Sequence, residues 1–321
     1  MSINKRFATY AWGVLAYNIL VILWGAFVRA TGSGAGCGSH WPLCNGVVIP
    51  RAPQVETMVE FAHRITSGLA GLVVLALFIW AFRAYPRQHL VRKGAAFSLL
   101  FIITESLLGA GLVLFEWVAY NDSVERVVSM ALHLNNTFLL LAAMTLTAWW
   151  ATNHAPDTLQ RARQRPWGTM GGFLLGGVVA MMVLSTAGAI TALGDTLFPA
   201  GTLAEGIARD FSPTAHFLER LRIWHPILAI LTGAFLFVIA TNLINRDLGA
   251  DVYRFARGVQ VVFGLQLAAG FLNVYLLAPV WMQLVHLLLA DAIWILLVLL
   301  TAAYAAQPET VAETSPAAQI A

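Results

Sequence analysis

Long apolar segments separated by short polar stretches follow one another along almost the whole chain. A helix needs about 20 mainly apolar residues to cross a bilayer. Windows of that length give eight segments: 10–30, 62–83, 94–116, 127–150, 169–192, 221–243, 255–278 and 281–304. The runs are continuous rather than alternating, which favours helices over the strands of a membrane barrel. The first is too long for a cleaved signal peptide. We therefore predict an all-α integral membrane protein with eight transmembrane helices.

The composition agrees with this prediction and adds an orientation. Of the 321 residues, 59% are hydrophobic and 11% are charged, whereas a soluble domain is about a quarter charged. Twelve of the 19 Lys and Arg residues lie on the side of the membrane that carries the N-terminus. Because basic loops stay inside the cell, we expect both termini to be cytoplasmic. The net charge of +3 reflects this bias, and we expect no nucleic-acid partner.

The chain divides into two halves that resemble each other. A connection at 151–168 separates an N-terminal half, 1–160, from a C-terminal half, 161–306, and each half contains four apolar segments. An even number of segments per half gives a parallel repeat. We predict two four-helix bundles related by a pseudo-two-fold axis. The polar residues 307–321 are predicted to form a disordered cytoplasmic tail.

Four histidines recur at corresponding places in the repeat. His63, His133, His225 and His286 lie near the starts of the second, fourth, sixth and eighth segments. A single histidine in an apolar helix is more often a packing residue, but four on alternate helices indicate function. Neutral imidazole is an axial ligand of haem iron, and facing helices of a bundle can hold a metal cofactor between them. We predict two haem-iron sites, His63 with His133 and His225 with His286.

Other metals and other polar residues give weaker signals. Zinc prefers compact tetrahedral sets of ligands, which suits histidines on four separate helices less well than haem. Arginines near the proposed haem depth would either pair with propionates or extend to the membrane surface; they are Arg29, Arg64, Arg126, Arg220 and Arg222. The four remaining histidines are expected to be solvated in loops: His40, His89, His154 and His216.

Three carboxylates accompany these segments. Glu60 lies three residues before His63, so the two share a helical face, whereas Arg222 stands at the same distance before His225. Glu60 is either a reactive carboxylate or a first-turn residue favoured by the helix dipole and paired with Arg64. Glu105 and Asp291 lie within apolar segments, where an acid indicates either a proton path or a buried hydrogen bond.

The only two cysteines, Cys37 and Cys44, lie in a long loop predicted at 31–60. On the oxidising outer face of the membrane they are expected to form a disulfide. The disulfide would either hold the loop together or take part in redox chemistry, and the spacing does not decide between these roles. The matching loop at 193–220 contains no cysteine.

Several of these motifs together resemble the haem A synthase family (CtaA-type), in the bacterial form with a cysteine pair in the first outer loop. The resemblance covers nearly the whole chain. The matching residues are Gly25 to Cys37, Trp41-Pro42-Leu43-Cys44, Glu60-Phe61-Ala62-His63-Arg64, His133 to Leu140, His225 and His286. Two features depart from the family pattern. The 193–220 loop lacks the second cysteine pair that some relatives have, and Glu105 stands where glutamine is expected.

The resemblance implies an oxidoreductase that converts the C8 methyl group of haem O to a formyl group, with oxygen from water, for cytochrome oxidase assembly. In that family pattern His63 and His133 hold the substrate haem, Glu60 is the catalytic carboxylate, and His225 and His286 ligate a haem b that passes electrons onward. It also implies a bacterial cell membrane, lipid contacts, a haem O synthase and a quinone or other electron acceptor as partners; a homo-oligomer stays open. The alternatives are a non-enzymatic di-haem b-type electron-transfer protein and a haem-handling protein.

Overall fold

The structure, a computed structural model, describes residues 4–152 and 168–307. Its regular structure in these ranges is helical apart from one short 3-10 turn at Ser33–Ala35. The helices are α1 (Lys5–Ala30), α2 (Val55–Ala84), α3 (Leu90–Leu114), α4 (Val124–Thr152), α5 (Gly168–Leu197), α6 (Leu203–Asp210), α7 (Phe217–Leu221), α8 (Trp224–Ile244), α9 (Ala250–Tyr275) and α10 (Val280–Ala305). Eight segments are long and apolar enough to span a membrane, with α7 and α8 together forming the sixth. The predicted all-α fold and its eight spans are confirmed.

The helices extend beyond the apolar windows, most clearly in α2. This helix starts at Val55 rather than at 62, because an acidic side chain such as Glu56 is favoured in a first turn by the helix dipole. The predicted loop 31–60 was therefore too long, and the structure leaves 31–54 between α1 and α2, which we call loop 1. The predicted loop 193–220 was also wrong in part, since it holds the end of α5 and both short helices. We call residues 198–216 loop 2.

The two halves meet along α1, α4, α5 and α10. Helix α1 packs on α2 and α4 of its own half and also on α5 and α10 of the other. Between α4 and α10, the rings of Phe138 and Trp294 stack with centroids 4.7 Å apart, and the indole Nε1 donates to the Phe138 carbonyl oxygen at 2.7 Å. Both side chains are fully buried. This contact fixes the depth of α4 relative to α10, and hence of the histidines they carry.

Large apolar side chains cover the outer surface of the helices. Phe271 is 76% exposed and Ile230 is 64% exposed, which water would penalise and lipid would not. The chain is a multi-pass membrane protein. The predicted pseudo-two-fold relation and the division into halves stay predictions. Residues 153–167, which include His154, and residues 308–321 of the predicted tail lie outside the described part of the chain.

Candidate functional site

Each of the four recurring histidines packs against a glycine of the preceding membrane-spanning helix. A methyl group built on each glycine would lie close to the imidazole Cε1: Gly25 at 3.0 Å from His63, Gly109 at 3.9 Å from His133, Gly188 at 2.9 Å from His225 and Gly270 at 3.0 Å from His286. Any side chain at three of these positions would push the ring away. The glycines recur at matching places in the two halves. The sequence showed Gly25 only as part of the family motif, and no glycine was predicted to lie against a histidine.

All four imidazoles are also short of hydrogen bonds. The Nδ1 atoms of His63 and His286 are buried without a hydrogen-bond partner, whereas His133 Nδ1 has only Glu105 at 3.3 Å and His225 only the backbone of Leu184. Buried polar atoms are normally satisfied, so a group of orphaned ones requires an explanation. A bound ligand that engages the rings would provide it.

The second histidine pair has the spacing expected for a shared iron atom. The ring centroids of His225 and His286 lie 6.2 Å apart, with the planes inclined by 80°. Two imidazoles on opposite sides of one metal have centres about 6 Å apart, since each metal–nitrogen bond is about 2 Å and each ring nitrogen lies about 1 Å from its centre. The distance between the two rings therefore suits a bis-histidine haem.

In the first half, Glu60 is tied to loop 1. The carboxylate is almost fully buried. Its Oε2 accepts the backbone N–H of Cys37 at 2.8 Å, and its Oε1 accepts Arg64 Nη2 at 2.5 Å and Nε at 3.1 Å. Arg64 Nη1 also donates to the carbonyl oxygens of His40 and Leu43, each at 2.6 Å. Glu60 is therefore held in one orientation, one helical turn before His63. The ion pair of Glu60 with Arg64, one of the two alternatives considered from the sequence, is present.

Loop 1 is closed by the expected disulfide and lies directly on α2. Cys37 and Cys44 are bonded, with their Cα atoms 4.4 Å apart, and both are buried. The hydroxyl of Thr57 donates to the Gly36 carbonyl oxygen at 2.7 Å. A methyl group on Gly36 would overlap the Glu56 backbone at 2.5 Å, so only glycine allows this approach. The bridge thus supports the segment whose N–H reaches Glu60.

His133 faces a carboxylate in the neighbouring helix α3. Its Nδ1 lies 3.3 Å from Glu105 Oε1. In the second half, Gln266 of α9 takes the corresponding place, with its Nε2 3.2 Å from Nε2 of His286. The sequence placed Glu105 and Gln266 at matching positions, and the structure brings both to a histidine.

The guanidinium nitrogens of Arg222 already face carboxylates, so few of its N–H groups could bind a propionate. Its Nε donates to Asp210 at 2.9 Å, its Nη1 to Asp195 at 3.1 Å, and its Nη2 lies 3.6 Å from Glu219. The side chain is only 8% exposed. The sequence offered no indication of this cluster, because its members come from α5, α6 and α7.

Among the remaining arginines, Arg29 connects the halves. It donates to the hydroxyl of Thr196 on α5 and to Gln283 on α10, both at 2.9 Å. Arg126 donates to two backbone carbonyl oxygens of the loop before α4, while its buried Nε has no partner. Arg220 is exposed. Of the five predicted propionate candidates, Arg126 is thus the buried one with an unused Nε donor.

The loop histidines are only partly as expected. His40 is exposed. His89 instead caps α3 by accepting the Val91 N–H at 3.2 Å, and burial lowers its pKa below the ordinary value. His216 caps α7 and stacks on Phe198. The prediction of solvated side chains was therefore wrong for these two, because a neutral imidazole nitrogen accepts a hydrogen bond at a helix start.

Asp291 lies inside α10, fully buried. Neither carboxyl oxygen has a hydrogen-bond partner among the described residues. Its repeat-related position in α4, counted from the histidine, is occupied by Phe138. The structure brings it to neither histidine pair by any hydrogen bond or ion pair that it shows.

Known proteins resemble this chain over different lengths. A family model described as cytochrome oxidase assembly protein (COX15-CtaA) matches residues 8–298. A Thermus thermophilus protein named protoheme IX farnesyltransferase is 54% identical over 298 residues, which are 92% of this chain and 48% of that protein. Proteins named heme A synthase are 36% identical in an Exiguobacterium species, over 44% of this chain and 45% of the relative, and 41% identical in Halalkalibacterium halodurans, over 40% of each.

In each of these alignments the matched part spans less than half of the relative's length. The family model, by contrast, covers all eight membrane spans up to the last turns of α10. It includes both histidine pairs, Glu60 and the disulfide loop. The chain belongs to the cytochrome oxidase assembly protein family.

Proposed function

We propose that the protein is a haem A synthase, which oxidises the C8 methyl group of haem O to a formyl group. The substrate haem lies between His63 and His133, and a resident haem b lies between His225 and His286. The observation that carries this proposal is the inequality of the two pairs. Each histidine of the first pair has a carboxylate near it, the buried Glu60 by sequence spacing and the partly buried Glu105 by contact. The second pair has Arg222 and Gln266 at the matching positions.

The proposed reaction removes four electrons and four protons. One methyl group and one water molecule give one formyl group, four protons and four electrons, so the oxygen comes from water. The haem b supplies a one-electron route out of the site to a membrane quinone or another acceptor. Glu60, held by Cys37 N–H and Arg64, is the group that would receive protons near the reacting carbon. His63 and His133 would hold the macrocycle near this carboxylate, which lies one helical turn before His63.

The name of the Thermus relative, protoheme IX farnesyltransferase, describes a reaction that would come one step before the proposed one. Transfer of a farnesyl group to protohaem makes a farnesylated haem, the class of compound that the proposed enzyme consumes. We place that activity in the half of the relative that this chain does not match. A haem O synthase is therefore the proposed partner rather than the activity of this chain.

The protein is proposed to lie in a bacterial cell membrane with both termini in the cytoplasm. Basic residues favour this orientation, and a disulfide in loop 1 supports an oxidising compartment on that side. The first histidine pair and Glu60 would then lie toward the outer leaflet. Protons released there would leave on the outside of the cell.

The test is to express the protein in a host that makes haem O and to identify the extracted haems by chromatography and mass spectrometry. Wild type should yield hydroxylated and formyl products. Glu60→Gln should keep both haem spectra and lose those products, because the amide preserves the shape and one of the two acceptor oxygens but cannot take a proton. Glu56→Gln is the matched control, since Glu56 is exposed on the same helix one turn earlier, and it should retain activity.

Two outcomes would count against the proposal in different ways. Wild type that yields only haem B and haem O would leave the di-haem electron-transfer protein as the better explanation. If Glu60→Gln instead removed both haem spectra, the carboxylate would be a structural link between loop 1 and α2. Loss of the low-spin haem b spectrum in His225→Ala, with the substrate site intact, would support the assignment of the second pair.

A further inference from the structure

The histidines of α4 and α10 receive different partners from the helix packed beside each. Glu105 of α3 places Oε1 3.3 Å from Nδ1 of His133. Gln266 of α9 places its amide nitrogen 3.2 Å from Nε2 of His286. One partner is an acid at Nδ1 and the other is a neutral amide at Nε2, although the two residues occupy matching positions in the repeat. Iron would be held by the ring nitrogen that each partner leaves free.

Glu105 is held as an acceptor on both oxygens. The hydroxyl of Thr137 donates to Oε1 at 2.5 Å and the amide of Asn136 donates to Oε2 at 2.6 Å. Asn136 is fixed in turn, since Thr104 donates to its Oδ1 at 2.6 Å. With donors aimed at both oxygens, the side chain acts as a carboxylate, and the Nδ1 of His133 has no other polar partner.

Gln266 lacks such support. Its Oε1 is buried without a hydrogen-bond partner, and its only side-chain hydrogen bond among the described residues is the one to His286. Whichever way the amide is turned, its oxygen and nitrogen being hard to distinguish, it brings a dipole and no net charge to the ring.

A carboxylate that accepts from the free N–H of a metal-bound imidazole makes that imidazole a stronger donor. A stronger axial donor stabilises ferric iron over ferrous iron, which is one way a protein sets a haem potential. We propose that Glu105 is a positioning residue that gives the haem at His63 and His133 a lower reduction potential than the haem at His225 and His286. This inference rests on the proposed function, in which both pairs bind haem.

The consequence is a direction for electron flow. Electrons removed from the substrate site pass toward the second pair, because the haem there is the better acceptor. Both pairs contain two histidines, so the difference in reduction potential does not come from the number of histidines. It follows from one position of the repeat, which is Glu105 in α3 and Gln266 in α9.

The experiment is potentiometry on the purified protein carrying both haems, followed by absorbance. Wild type should show two reduction steps. Glu105→Gln, which copies the residue of the second half, should raise the lower midpoint potential and leave the upper one unchanged. Gln266→Glu should lower the upper potential, and the double exchange should narrow or invert the gap. Ser106→Ala is the control; its hydroxyl donates only to the Ile102 carbonyl, so both potentials should stay.

The outcomes separate this inference from the proposal beneath it. Wild type that binds haem at only one pair, or at neither, would overturn both. Two bound haems that are reduced at a single potential would overturn this inference alone. Two steps that neither Glu105→Gln nor Gln266→Glu shifts would overturn this inference alone, and haem A synthesis would be unaffected as a proposal. Because Gln266→Glu leaves Glu105 in place, it decides the matter even if Glu105→Gln fails to assemble.

Discussion

The position three residues before the first histidine of each half carries opposite charges, Glu60 in α2 and Arg222 just before α8. Both side chains are buried, at 3% and 7% exposure. Each is paired partly with the loop next to it and partly with a helix. Glu60 accepts hydrogen bonds from a backbone N–H of loop 1 and from the guanidinium of Arg64. Arg222 donates hydrogen bonds to the carboxylates of Asp195 and Asp210.

The shared feature of the two positions is attachment of a loop to the helix that carries a histidine. Burial and hydrogen bonds at Glu60 therefore cannot by themselves indicate catalysis, since Arg222 has both. What distinguishes the first half is that the buried group is a carboxylate. The comparison thus separates a structural role, common to both halves, from a proton-accepting role that a side chain at this position can supply only in the first half.

The largest expected effect comes from Arg222→Met, which breaks the second attachment. It leaves the partly buried carboxylates of Asp195 and Asp210 and the buried one of Glu219 without this cation, and removal of one partner from a buried ion pair costs about 3–5 kcal/mol. Thermal unfolding of the detergent-solubilised protein should show a correspondingly lower stability.

Arg220→Met is the matched control for this variant. Arg220 is exposed, so its loss should change the free energy of unfolding by no more than about 0.5 kcal/mol. Equal effects of the two substitutions would mean that the buried charge cluster does not hold loop 2.

A smaller loss is expected when both Cys37 and Cys44 are replaced by Ser. The ring is short, and chain entropy alone predicts a stabilisation of about 2.5 kcal/mol. Loop 1 should become sensitive to protease, and the N–H of Cys37 should no longer hold Glu60. The haem b spectrum assigned to the second pair should persist, since loop 1 does not contact it through any interaction the structure shows.

Ser39→Ala, in an exposed part of the same loop, should leave protease resistance unchanged. If the double serine variant were as resistant as wild type, the contacts of Thr57 and Arg64 with loop 1 would be sufficient to hold it. Loop 1 would then be held by Arg64 as loop 2 is held by Arg222, and the disulfide would not distinguish the two loops.

The sequence predicted the eight helices because each apolar run is long enough to span a bilayer, whatever its neighbours. It failed at the helix ends, where polar residues such as Glu56 continue the helix. It also placed Glu60 one turn before His63 correctly, since that relation depends only on helical spacing.

The hydrogen-bond partners of the site residues could not be predicted from the sequence. Cys37 N–H reaches Glu60 from 23 residues away, and Asp195 reaches Arg222 from 27 residues away. Such contacts depend on how a loop folds back, and no spacing rule encodes them. The glycines beside the histidines, such as Gly188 beside His225, were visible in the repeat but have no meaning until the helices are packed.

The two halves should also differ in their tolerance of alanine beside a histidine. A methyl group on Gly270 would lie 3.0 Å from His286 Cε1, whereas one on Gly109 would lie 3.9 Å from His133. Gly270→Ala should cost about 1–2 kcal/mol by overpacking and reduce haem content at the second pair. Gly109→Ala should be neutral or stabilising by up to about 1 kcal/mol, because alanine is the better helix former.

Haem content by pyridine haemochrome and thermal unfolding would measure both variants. Equal haem loss in Gly109→Ala and Gly270→Ala would show that the rings sit equally close to the two helices once haem is bound. Unchanged haem content in Gly270→Ala would remove the glycine from the proposed site.

The smallest expected effect is a pH dependence in loop 2. Burial raises the pKa of Asp210 above its ordinary value, against the opposing effect of Arg222. An acid with a raised pKa in the folded state contributes stability that is full below its unfolded pKa of about 3.9 and is lost as pH rises through the folded value. Protease resistance of loop 2 should therefore fall slightly as the pH rises from 4, and Asp210→Asn should remove that dependence.

Asp122→Asn, at a largely exposed carboxyl near His216, should leave the pH dependence of protease resistance in place. A dependence that survives Asp210→Asn would mean that the pH response of loop 2 originates in another group.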